Sequence, residues 1–335
     1  MHRRTFSFFL ALLCGLVIQG SSTRGWAKAT VTPPEEEMAN EAKTGPAAFE
    51  PRVVRTWQEA QIALARLGFS SGAIDGLPGA QSEAAMRVFQ AAEKLPITGQ
   101  LDRGTCDRLL LSSPPLEELT LTVAEFASFR PLSATWLGKS MQTGLDYECA
   151  LEWAAERSHA QPALIRTLNP EVDWAHVLPG ARIIVPAVGQ RSFAARAVQL
   201  HVQLSARIIR AYDAAGEVIA QFPVSIARNI EKRPVGELHV TVVIPNPDYT
   251  FDPAVFPESV EGRELGRKLR LPPGPNSPVG LAWIGLDRPG YGIHGTPTPE
   301  KVGRTESHGC FRLANWDALT LVDLAWVGLP VVVEP

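Results

Sequence analysis

The sequence predicts a multidomain α+β protein in which two small N-terminal domains precede a larger, mainly antiparallel β domain of sandwich or barrel form. The chain has 335 residues, 45% of them hydrophobic, which is enough for two or three compact domains. Apolar residues recur with helical spacing across residues 51–112, whereas they alternate with a period of two in much of 196–335. The region between these two parts mixes both patterns.

The first 29 residues have the three-part pattern of a secretory signal peptide. Two arginines precede an apolar run over residues 6–18, and small residues end at Ala27-Lys28-Ala29, an A-x-A cleavage site. The run is too short for a comfortable membrane span, and an uncleaved anchor is the alternative. We therefore expect an exported protein with no stable membrane insertion after cleavage. Residues 30–50 are rich in Pro, Glu and Ala without an apolar period, which predicts a flexible linker.

Charge and cysteine count limit the partners of the mature chain. Removal of residues 1–29 leaves 28 basic and 35 acidic residues, a net charge of −7. Because phosphate contacts need clustered Lys and Arg, we expect no nucleic-acid partner. Three cysteines remain, and an odd number in an exported protein is typical of a free reactive thiol. We expect Cys310 to be free, and Cys106 and Cys149 to be independent buried thiols, with a disulfide between them left open.

Residues 51–112 predict three short helices around a small core. Thr56-Trp57-Gln58-Glu59 has capping-box spacing at the start of the first helix, which Gly68 ends. A turn at residues 72–76 follows, and Ser82 and Asp102 are candidate caps of the second and third helices. The expected core residues are Ile62, Leu64, Leu67, Ala85, Met86, Phe89, Cys106, Leu109 and Leu110.

Residues 113–143 contain several prolines and no sustained period, which predicts a connector. Residues 144–190 predict a second module of two short helices followed by a strand. Its first apolar face is expected from Leu151, Ala154 and Ala155, and its second from Ala163, Leu164, Ile165 and Leu168. The strand follows Pro179-Gly180 and covers residues 181–186.

Residues 196–335 predict the β domain. Residues 198–202, 207–212 and 218–226 alternate as strands, and the last two flank a turn as an antiparallel hairpin would. Further strands are expected at 238–244 and 331–333. The segment 246–271 is too long for a tight turn and predicts a lid or substrate loop. One amphipathic helix is expected at 314–327, with Leu319, Val322 and Trp326 facing inward.

The segment Ser307-His308-Gly309-Cys310-Phe311-Arg312-Leu313 combines residue types that cysteine acyl transfer requires. A second histidine, His294, stands sixteen residues before Cys310. A cysteine is nucleophilic as a thiolate, and a neighbouring imidazole can take its proton. Gly309 permits a sharp turn that aims backbone N–H groups at a developing oxyanion, and Arg312 offers a planar fork for a carboxylate. These residues predict an enzyme.

Other interpretations of these residues stay open. His294, His308 and Cys310 would suit zinc, although no fourth ligand is evident; we expect neither a metal nor a cofactor. Arg312 is alternatively a surface ion-pair partner, and Asn315 and Asp317 are expected at a helix start or on the surface. A catalytic base needs an orienting partner. Because Gly295 follows His294 and has no side chain, we expect a backbone carbonyl in that role.

A histidine followed by Ser-His-Gly-Cys resembles the signature of the L,D-transpeptidase (YkuD-type) catalytic domain. The resemblance extends upstream to Arg233-Pro234-Val235-Gly236 and to residues 273–285, and covers roughly residues 196–335. It implies that Cys310 is the nucleophile and His294 its general base. The other site residues it implies are His308 and Gly309 in the pocket and oxyanion turn, Arg312 holding the donor peptide, and Ser307, Gly295 and Tyr291 as further substrate-binding candidates.

The same resemblance implies a substrate and a location. The family acts on the peptidoglycan stem peptide at the carbonyl of its third, diamino-acid residue, and releases the terminal D-alanine. An amine of a second stem peptide, or of a protein or lipoprotein lysine, then resolves the thioester, whereas water would make the enzyme a hydrolase. The expected location is the periplasm or cell wall of a bacterium. A non-catalytic wall-binding scaffold is the competing class of function.

Two further resemblances concern the N-terminal modules. Leu67-Gly68-Phe69, Ile74-Asp75-Gly76, Val88-Phe89-Gln90 and the segment 98–102 are similar to the peptidoglycan-binding domain family across nearly its whole length. Leu168-Asn169-Pro170 and the strand after Pro179-Gly180 resemble the LysM glycan-binding fold, although no clear first strand precedes Tyr147. These resemblances imply peptidoglycan as a partner of the modules, with a purely structural role as the alternative.

Overall fold

The computed structural model describes residues 49–189, 191–256, 258–307 and 309–335. The predicted signal peptide at 1–29 and nearly all of the predicted linker at 30–50 lie outside these residues. Residues from Phe49 to Pro335 form one compact unit, so that contacts between its modules are part of the fold. No helix in the described ranges has the length and apolar character of a membrane span.

The first module contains the three predicted helices. Their bounds are Trp57–Arg66 (α1), Ala80–Ala92 (α2) and Arg103–Cys106 (α3), and two short strands, Arg52–Val53 (β1) and Leu110–Leu111 (β2), pair antiparallel beside them. The apolar faces of the helices close a core that includes Leu64, Met86 and Phe89. The helical pattern in the sequence therefore predicted the three helices correctly, but the prediction that Leu67 and Leu110 are core residues was wrong, because both are exposed.

Two of the three predicted helix caps are present. The side-chain oxygen of Thr56 accepts from Glu59 N, and that of Asp102 accepts from Thr105 N. The prediction for Ser82 was wrong, because α2 begins three residues earlier, after Gly79. The Ser82 hydroxyl instead accepts a bond of 2.9 Å from the buried Gln61 side chain. Ser82 therefore lies inside the helix, and its hydroxyl contacts the core instead of capping the helix.

The second module begins earlier than the sequence suggested. Its elements are Leu116–Thr120 (β3), Val123–Ser128 (α4), Trp136–Ser140 (α5), Ala150–Arg157 (α6), Pro162–Leu168 (α7) and Arg182–Pro186 (β4). Strands β3 and β4 pair antiparallel, and α6 and α7 lie between them in the chain. The prediction of a connector at 113–143 therefore missed a strand. The residues of β3 are only partly buried or exposed, which left no apolar alternation to detect.

The C-terminal domain is built on an eight-stranded, mostly antiparallel sheet. Its strands are Gln199–Gln203 (β5), Ile208–Tyr212 (β6), Val218–Pro223 (β7), Gly236–Pro245 (β8), Ala282–Leu286 (β11), Gly292–His294 (β12), Phe311–Arg312 (β13) and Pro330–Glu334 (β14). Their order across the sheet is β13-β12-β11-β8-β14-β5-β6-β7. Two neighbouring pairs, β12 with β13 and β14 with β5, are parallel. The predicted fold class, an α+β chain with a mainly antiparallel C-terminal domain, is confirmed.

The predicted C-terminal helix spans Asn315–Leu324 (α9) and packs on this sheet through Ala318, Leu321 and Leu324. The predicted inward residues were partly wrong. Val322 packs at the edge of the core, but Leu319 and Trp326 are each 38% exposed. Trp326 follows the end of the helix, where its indole N–H donates to Ala197 O. The buried positions instead follow the spacing 318, 321 and 324.

The predicted lid segment 246–271 contains regular structure. Tyr249–Phe251 (β9) pairs antiparallel with Leu269–Leu271 (β10), and Val260–Leu265 (α8) lies between them. The second module holds this segment in place. The Glu261 carboxylate accepts from the backbone N–H groups of Trp136 and Leu137 at 2.8 Å, and the Trp136 ring stacks on Phe251 with ring centres 4.3 Å apart.

The first turn of α9 is where both N-terminal modules meet the C-terminal domain. Asn315 donates to Glu156 of α6, and Asp317 accepts from the Ser70 hydroxyl at 2.9 Å. The residue between them, Trp316, stacks on the His159 ring at 5.1 Å. Asn315 and Asp317 do stand at a helix start, but the expectation that they are surface groups was wrong. The accessory modules cover both side chains, which no local pattern in the sequence reveals.

Candidate active site

Strand register brings the predicted nucleophile and base to one face of the sheet. In the parallel pair of β12 and β13, His294 lies opposite Arg312, and Ile293 lies opposite Phe311. Because side chains alternate between faces, Cys310 shares the face of Arg312 and therefore that of His294. Ile293 and Phe311 point to the other face, where they are buried in the core. Adjacent strands lie about 4.8 Å apart, so both side chains project from one face of neighbouring strands, with Cys310 two positions along the chain from Arg312, the residue opposite His294.

The chain that carries the nucleophile is held by a tight turn. The Ser307 hydroxyl donates to Cys310 O at 2.5 Å and accepts from Gly309 N at 3.3 Å. Backbone bonds then anchor both ends of the turn: Ser307 N donates to Ile226 O, and Arg312 exchanges two bonds with Ser225. Ser307 thus shapes the turn. The predicted pocket residue His308 lies outside the described residues.

The Cys310 thiol is free and partly exposed. Its sulfur donates to Gly290 O at 3.5 Å. Burial raises the pKa of the thiol, while the Gly292 N–H and the Arg312 charge lower it less strongly. Cys310 therefore rests as the neutral thiol rather than as a preformed thiolate. Cys106 and Cys149 are also unpaired, but Cys149 is exposed, contrary to the expectation of a buried thiol.

The His294 imidazole is buried and held in one tautomer. Its Nδ1 lies 2.7 Å from Gly295 O, and because a carbonyl can only accept, Nδ1 carries the proton and Nε2 is left as the proton acceptor. The expected orienting carbonyl is present. Burial lowers the pKa of His294 to about 4, so the ring is neutral near pH 7. The Trp283 ring stacks on it at 5.6 Å from the opposite strand.

The remaining predicted residues, Arg312, Tyr291 and Gly295, each have defined contacts. Arg312 is partly buried and donates to Glu306 O at 3.3 Å, which leaves donors of its guanidinium for another acceptor. The Tyr291 hydroxyl donates to Lys232 O, and its ring lies 3.8 Å from the position that a Cβ on Gly309 would occupy. A Cβ on Gly295 would approach the Asn315 Oδ1 to 2.2 Å. Gly295 is therefore required by close packing beside the base.

A cleft of about 630 Å³ adjoins this site. Trp283 connects the two, since it stacks on His294 and also lines the cleft. Tyr249 and Arg270 also line the cleft. Tyr249 lies close enough to Cys310 and Arg312 to respond to both, and burial chiefly raises the pKa of its hydroxyl to about 12. Sequence reasoning predicted a substrate loop at 246–271 but did not single out Tyr249, nor Trp283 as a ring partner of the base.

Comparison with known families identifies the C-terminal domain. Residues 197–333 match the model of the L,D-transpeptidase catalytic domain, YkuD. This region of the chain is thus similar to L,D-transpeptidase catalytic domains. Residues 55–109 match a peptidoglycan binding domain, and they correspond to the three-helix module. In this chain, the region similar to L,D-transpeptidase catalytic domains therefore follows a region similar to peptidoglycan binding domains.

Related proteins agree with this assignment. The chain is 27% identical over 182 residues to the L,D-transpeptidase YkuD of Bacillus licheniformis, a match that covers 54% of this chain and 91% of the relative. It is 32% identical over 117 residues to the L,D-transpeptidase YqjB of Bacillus subtilis, covering 33% of this chain and 57% of the relative. Among solved structures, the L,D-transpeptidase of Xylanimonas cellulosilytica is 15% identical, with a TM-score of 0.35 over 87% of this chain and 100% of that one. The assignment rests on the sequence matches.

Metal ligation was the alternative use of the transpeptidase histidines and cysteine. Among residues 49–189, 191–256, 258–307 and 309–335, no three His, Cys, Asp or Glu side chains are grouped closely enough to hold a metal ion. His308 is a member of the zinc set considered from the sequence and stands outside those ranges. The effect of a chelator on activity tests the zinc alternative.

Proposed function

We propose that this protein is a cysteine-dependent L,D-transpeptidase that acts on peptidoglycan stem peptides. The observation that carries the proposal is a neutral His294, with its proton on Nδ1, on the same face of adjacent strands as the free Cys310 thiol. A thiol beside an imidazole with an available nitrogen is the minimal requirement for acyl transfer. The transpeptidase family of residues 197–333 supports the choice of reaction and of substrate.

In the first half of the reaction, His294 Nε2 accepts the thiol proton as the Cys310 sulfur attacks the carbonyl carbon of the third stem residue. Because burial raises the pKa of the thiol and lowers that of the imidazole, the proton stays on sulfur until substrate is bound. The tetrahedral intermediate then breaks its C–N bond. The departing D-alanine amine takes the proton from His294, and a thioester remains on Cys310.

In the second half, an acceptor amine attacks the thioester and gives up a proton to His294. The C–S bond breaks, a new amide forms, and the proton returns to the sulfur to restore the thiol. The turn of residues 307–310 is the candidate source of N–H donors for the oxyanion in both halves. Arg312, on the same face as the thiol, is assigned to a carboxylate of the donor peptide.

The cleft beside Trp283 is assigned to the peptide chains. Its volume of about 630 Å³ is within the range of pockets that enclose most of a small ligand. Tyr249 and Trp283 supply aromatic surface, and Arg270 supplies a positive charge that is paired with Asp248.

The accessory modules are proposed to place the enzyme on the wall. The family of residues 55–109 supports binding of peptidoglycan by the first module. The antiparallel pair of β3 and β4 around α6 and α7 supplies the first strand that the LysM resemblance lacked, which supports glycan binding by the second. The pattern of residues 1–29 supports export to the periplasm or cell wall.

The decisive experiment is detection of the thioester. Purified protein is mixed with stem tetrapeptide, and intact-mass and peptide mapping locate the adduct. We expect the mass of the acyl tripeptide on Cys310, its absence in Cys310→Ala, and its retention in Cys149→Ala, a matched control that removes an exposed thiol away from the site. A wild-type protein that forms no adduct, or an adduct that persists in Cys310→Ala, would overturn the proposal.

Two additions to the assay separate the alternatives. The first addition is a choice of acceptor: a second stem peptide, a lysine-containing protein, or water alone. The mass of the released product then distinguishes crosslinking, protein attachment and hydrolysis. A chelator should leave the rate unchanged, whereas a zinc enzyme would lose activity. A protein that binds peptidoglycan yet releases no D-alanine with any acceptor would be the non-catalytic scaffold.

A further inference from the structure

A continuous line of hydrogen bonds leads away from the catalytic base. The His294 Nδ1–H donates to the carbonyl of Gly295 at 2.7 Å. That carbonyl belongs to the peptide group whose nitrogen is Thr296 N, and Thr296 N donates to the Asn315 Oδ1 at 3.0 Å. Because a peptide group is planar, a bond that fixes its N–H also fixes the direction of its C=O. Asn315 therefore determines where the orienting carbonyl of His294 points.

Asn315 is itself held by a residue of another module. Its Oδ1 accepts from both Thr296 N and Leu281 N, so its Nδ2 must face the opposite side. There Nδ2 donates to the two oxygens of Glu156 at 2.8 and 3.2 Å and to Pro275 O at 3.1 Å. Glu156 stands on α6 of the second module, 159 residues from Asn315 in the chain.

The packing around Asn315 leaves no alternative place for its side chain. It is fully buried, and a Cβ on Gly280 or Gly295 would come within 1.9 or 2.2 Å of its Oδ1. The carboxyl of Glu156 is also buried, and the Tyr147 hydroxyl lies 3.4 Å from its Oε2. Burial raises the pKa of Glu156 to about 8. In either protonation state, one of its oxygens remains an acceptor for Asn315.

We infer that Glu156 of the second module is a positioning residue for the catalytic base, acting through Asn315 and the Gly295–Thr296 peptide group. The inference rests on the proposed function, because it assigns Glu156 a part in that reaction. Every bond in the line runs in the same sense, from His294 toward the carboxyl group. Such aligned donors polarise one another and favour the proton on Nδ1. The second module is thus part of the transpeptidase machinery as well as a candidate wall-binding element.

A comparable contact between modules supplies a control. Ser70 of the first module donates to Asp317, two residues from Asn315 on the same helix. No bond found for Asp317 among the described residues continues to His294. Loss of the Ser70 hydroxyl should therefore weaken the attachment of the first module and leave the orientation of His294 unchanged. Loss of the Glu156 carboxyl should weaken the attachment of the second module and also disturb the orientation of His294.

The experiment compares Glu156→Ala, Glu156→Gln and Ser70→Ala in the full-length protein. Thioester formation with stem tetrapeptide gives the rate and the half-saturating concentration, and ¹⁵N NMR of the imidazole gives the tautomer of His294. We expect Glu156→Ala to slow acylation roughly two- to tenfold, the effect of one lost hydrogen bond, with little change in half-saturation. The Nδ1–H tautomer should decrease at the same time. Glu156→Gln keeps an acceptor oxygen and should restore both readouts to near wild-type values.

The outcomes separate the two proposals. Equal acylation rates and unchanged tautomer in Glu156→Ala and Ser70→Ala would refute the role of Glu156, while thioester formation by the wild type would leave the proposed function intact. A wild-type protein that forms no thioester would refute the proposed function. The tautomer of His294 in the variants would still show whether the hydrogen bonds from His294 to Glu156 fix the imidazole. If Glu156→Ala does not fold, Glu156→Asp withdraws the carboxyl by one methylene, and the same two results decide.

Discussion

The buried Asp317 carboxyl should make the stability of this protein fall with rising pH, and Asp317→Asn should remove that dependence. Burial raises the pKa of Asp317 to about 8, against an unfolded value of 3.8, although the Ser70 hydroxyl bond lowers it. The folded protein therefore holds a proton that the unfolded chain has released at neutral pH. The contribution of this group to stability is complete below pH 3.8 and is lost as the pH rises through about 8.

The size of the effect follows from the two pKa values. Between these two pKa values, each unit of rising pH lowers the free energy of unfolding by about 1.4 kcal/mol. The free energy of unfolding of Asp317→Asn should exceed that of wild type by at most about 1.7 kcal/mol at pH 5 and by at most about 4.5 kcal/mol at pH 7. Asparagine keeps an oxygen for Ser70, and its amide borders a cavity of about 240 Å³ that has room for water.

Urea unfolding of wild type and Asp317→Asn at pH 5, 7 and 8.5 measures this difference directly. Ser70→Ala serves as the control, because it should weaken the bond but retain the pH dependence. The expected result is a gap between the two free energies of unfolding that widens from pH 5 to 8.5. A constant gap, or a wild type that is the more stable protein at pH 8.5, would show that Asp317 is ionised in the folded state and would refute the reasoning.

Three other outcomes are expected. Because burial lowers the pKa of His294 to about 4, thioester formation should fall to half its maximum near pH 4 rather than near 6.5, in rapid-quench mass measurements across pH 3.5–7; a midpoint near 6.5 would contradict a buried, neutral base. Gly295→Ala places a Cβ 2.2 Å from Asn315 Oδ1 and should cost about 1–3 kcal/mol of stability and slow acylation, measured by urea unfolding and the thioester assay; wild-type values in both would exclude the close contact. The exposed Cys149 should react with a maleimide faster than Cys106, whose thiol pKa is raised by burial, as read by peptide mapping with time; the reverse order would contradict the exposures found.

The sequence predicted most of the elements that rely on local patterns. Helical spacing located α1, α2 and α3, and caps at Thr56 and Asp102 were visible as side chains that accept from the backbone three residues on. Alternation located the hairpin of β6 and β7 for the same reason. Strand β3 escaped because its exposed and half-buried residues carry no periodic signal, and only its antiparallel partner β4 makes it a strand.

The candidate site likewise combines features expected from the sequence with features that depend on tertiary contacts. Cys310, His294 and Arg312 could be proposed from the sequence because acyl transfer restricts the types and the order of residues in a short segment. The carbonyl of Gly295 was expected from the absence of a side chain at that position, and it does accept the His294 bond. Neither the contact between Trp283 and His294 nor the depth at which Asn315 and Asp317 are buried follows from chain order, since both depend on segments that meet only in the folded state.

Residue chemistry alone therefore determined which reaction, nucleophile and base we propose, because those properties belong to side chains and to short spacings. Tertiary structure decided the protonation of the thiol and the imidazole, because burial is a property of the surrounding shell. It also decided that Glu156 reaches toward the base from another module, because a hydrogen bond between residues 159 positions apart exists only once the chain has closed around it.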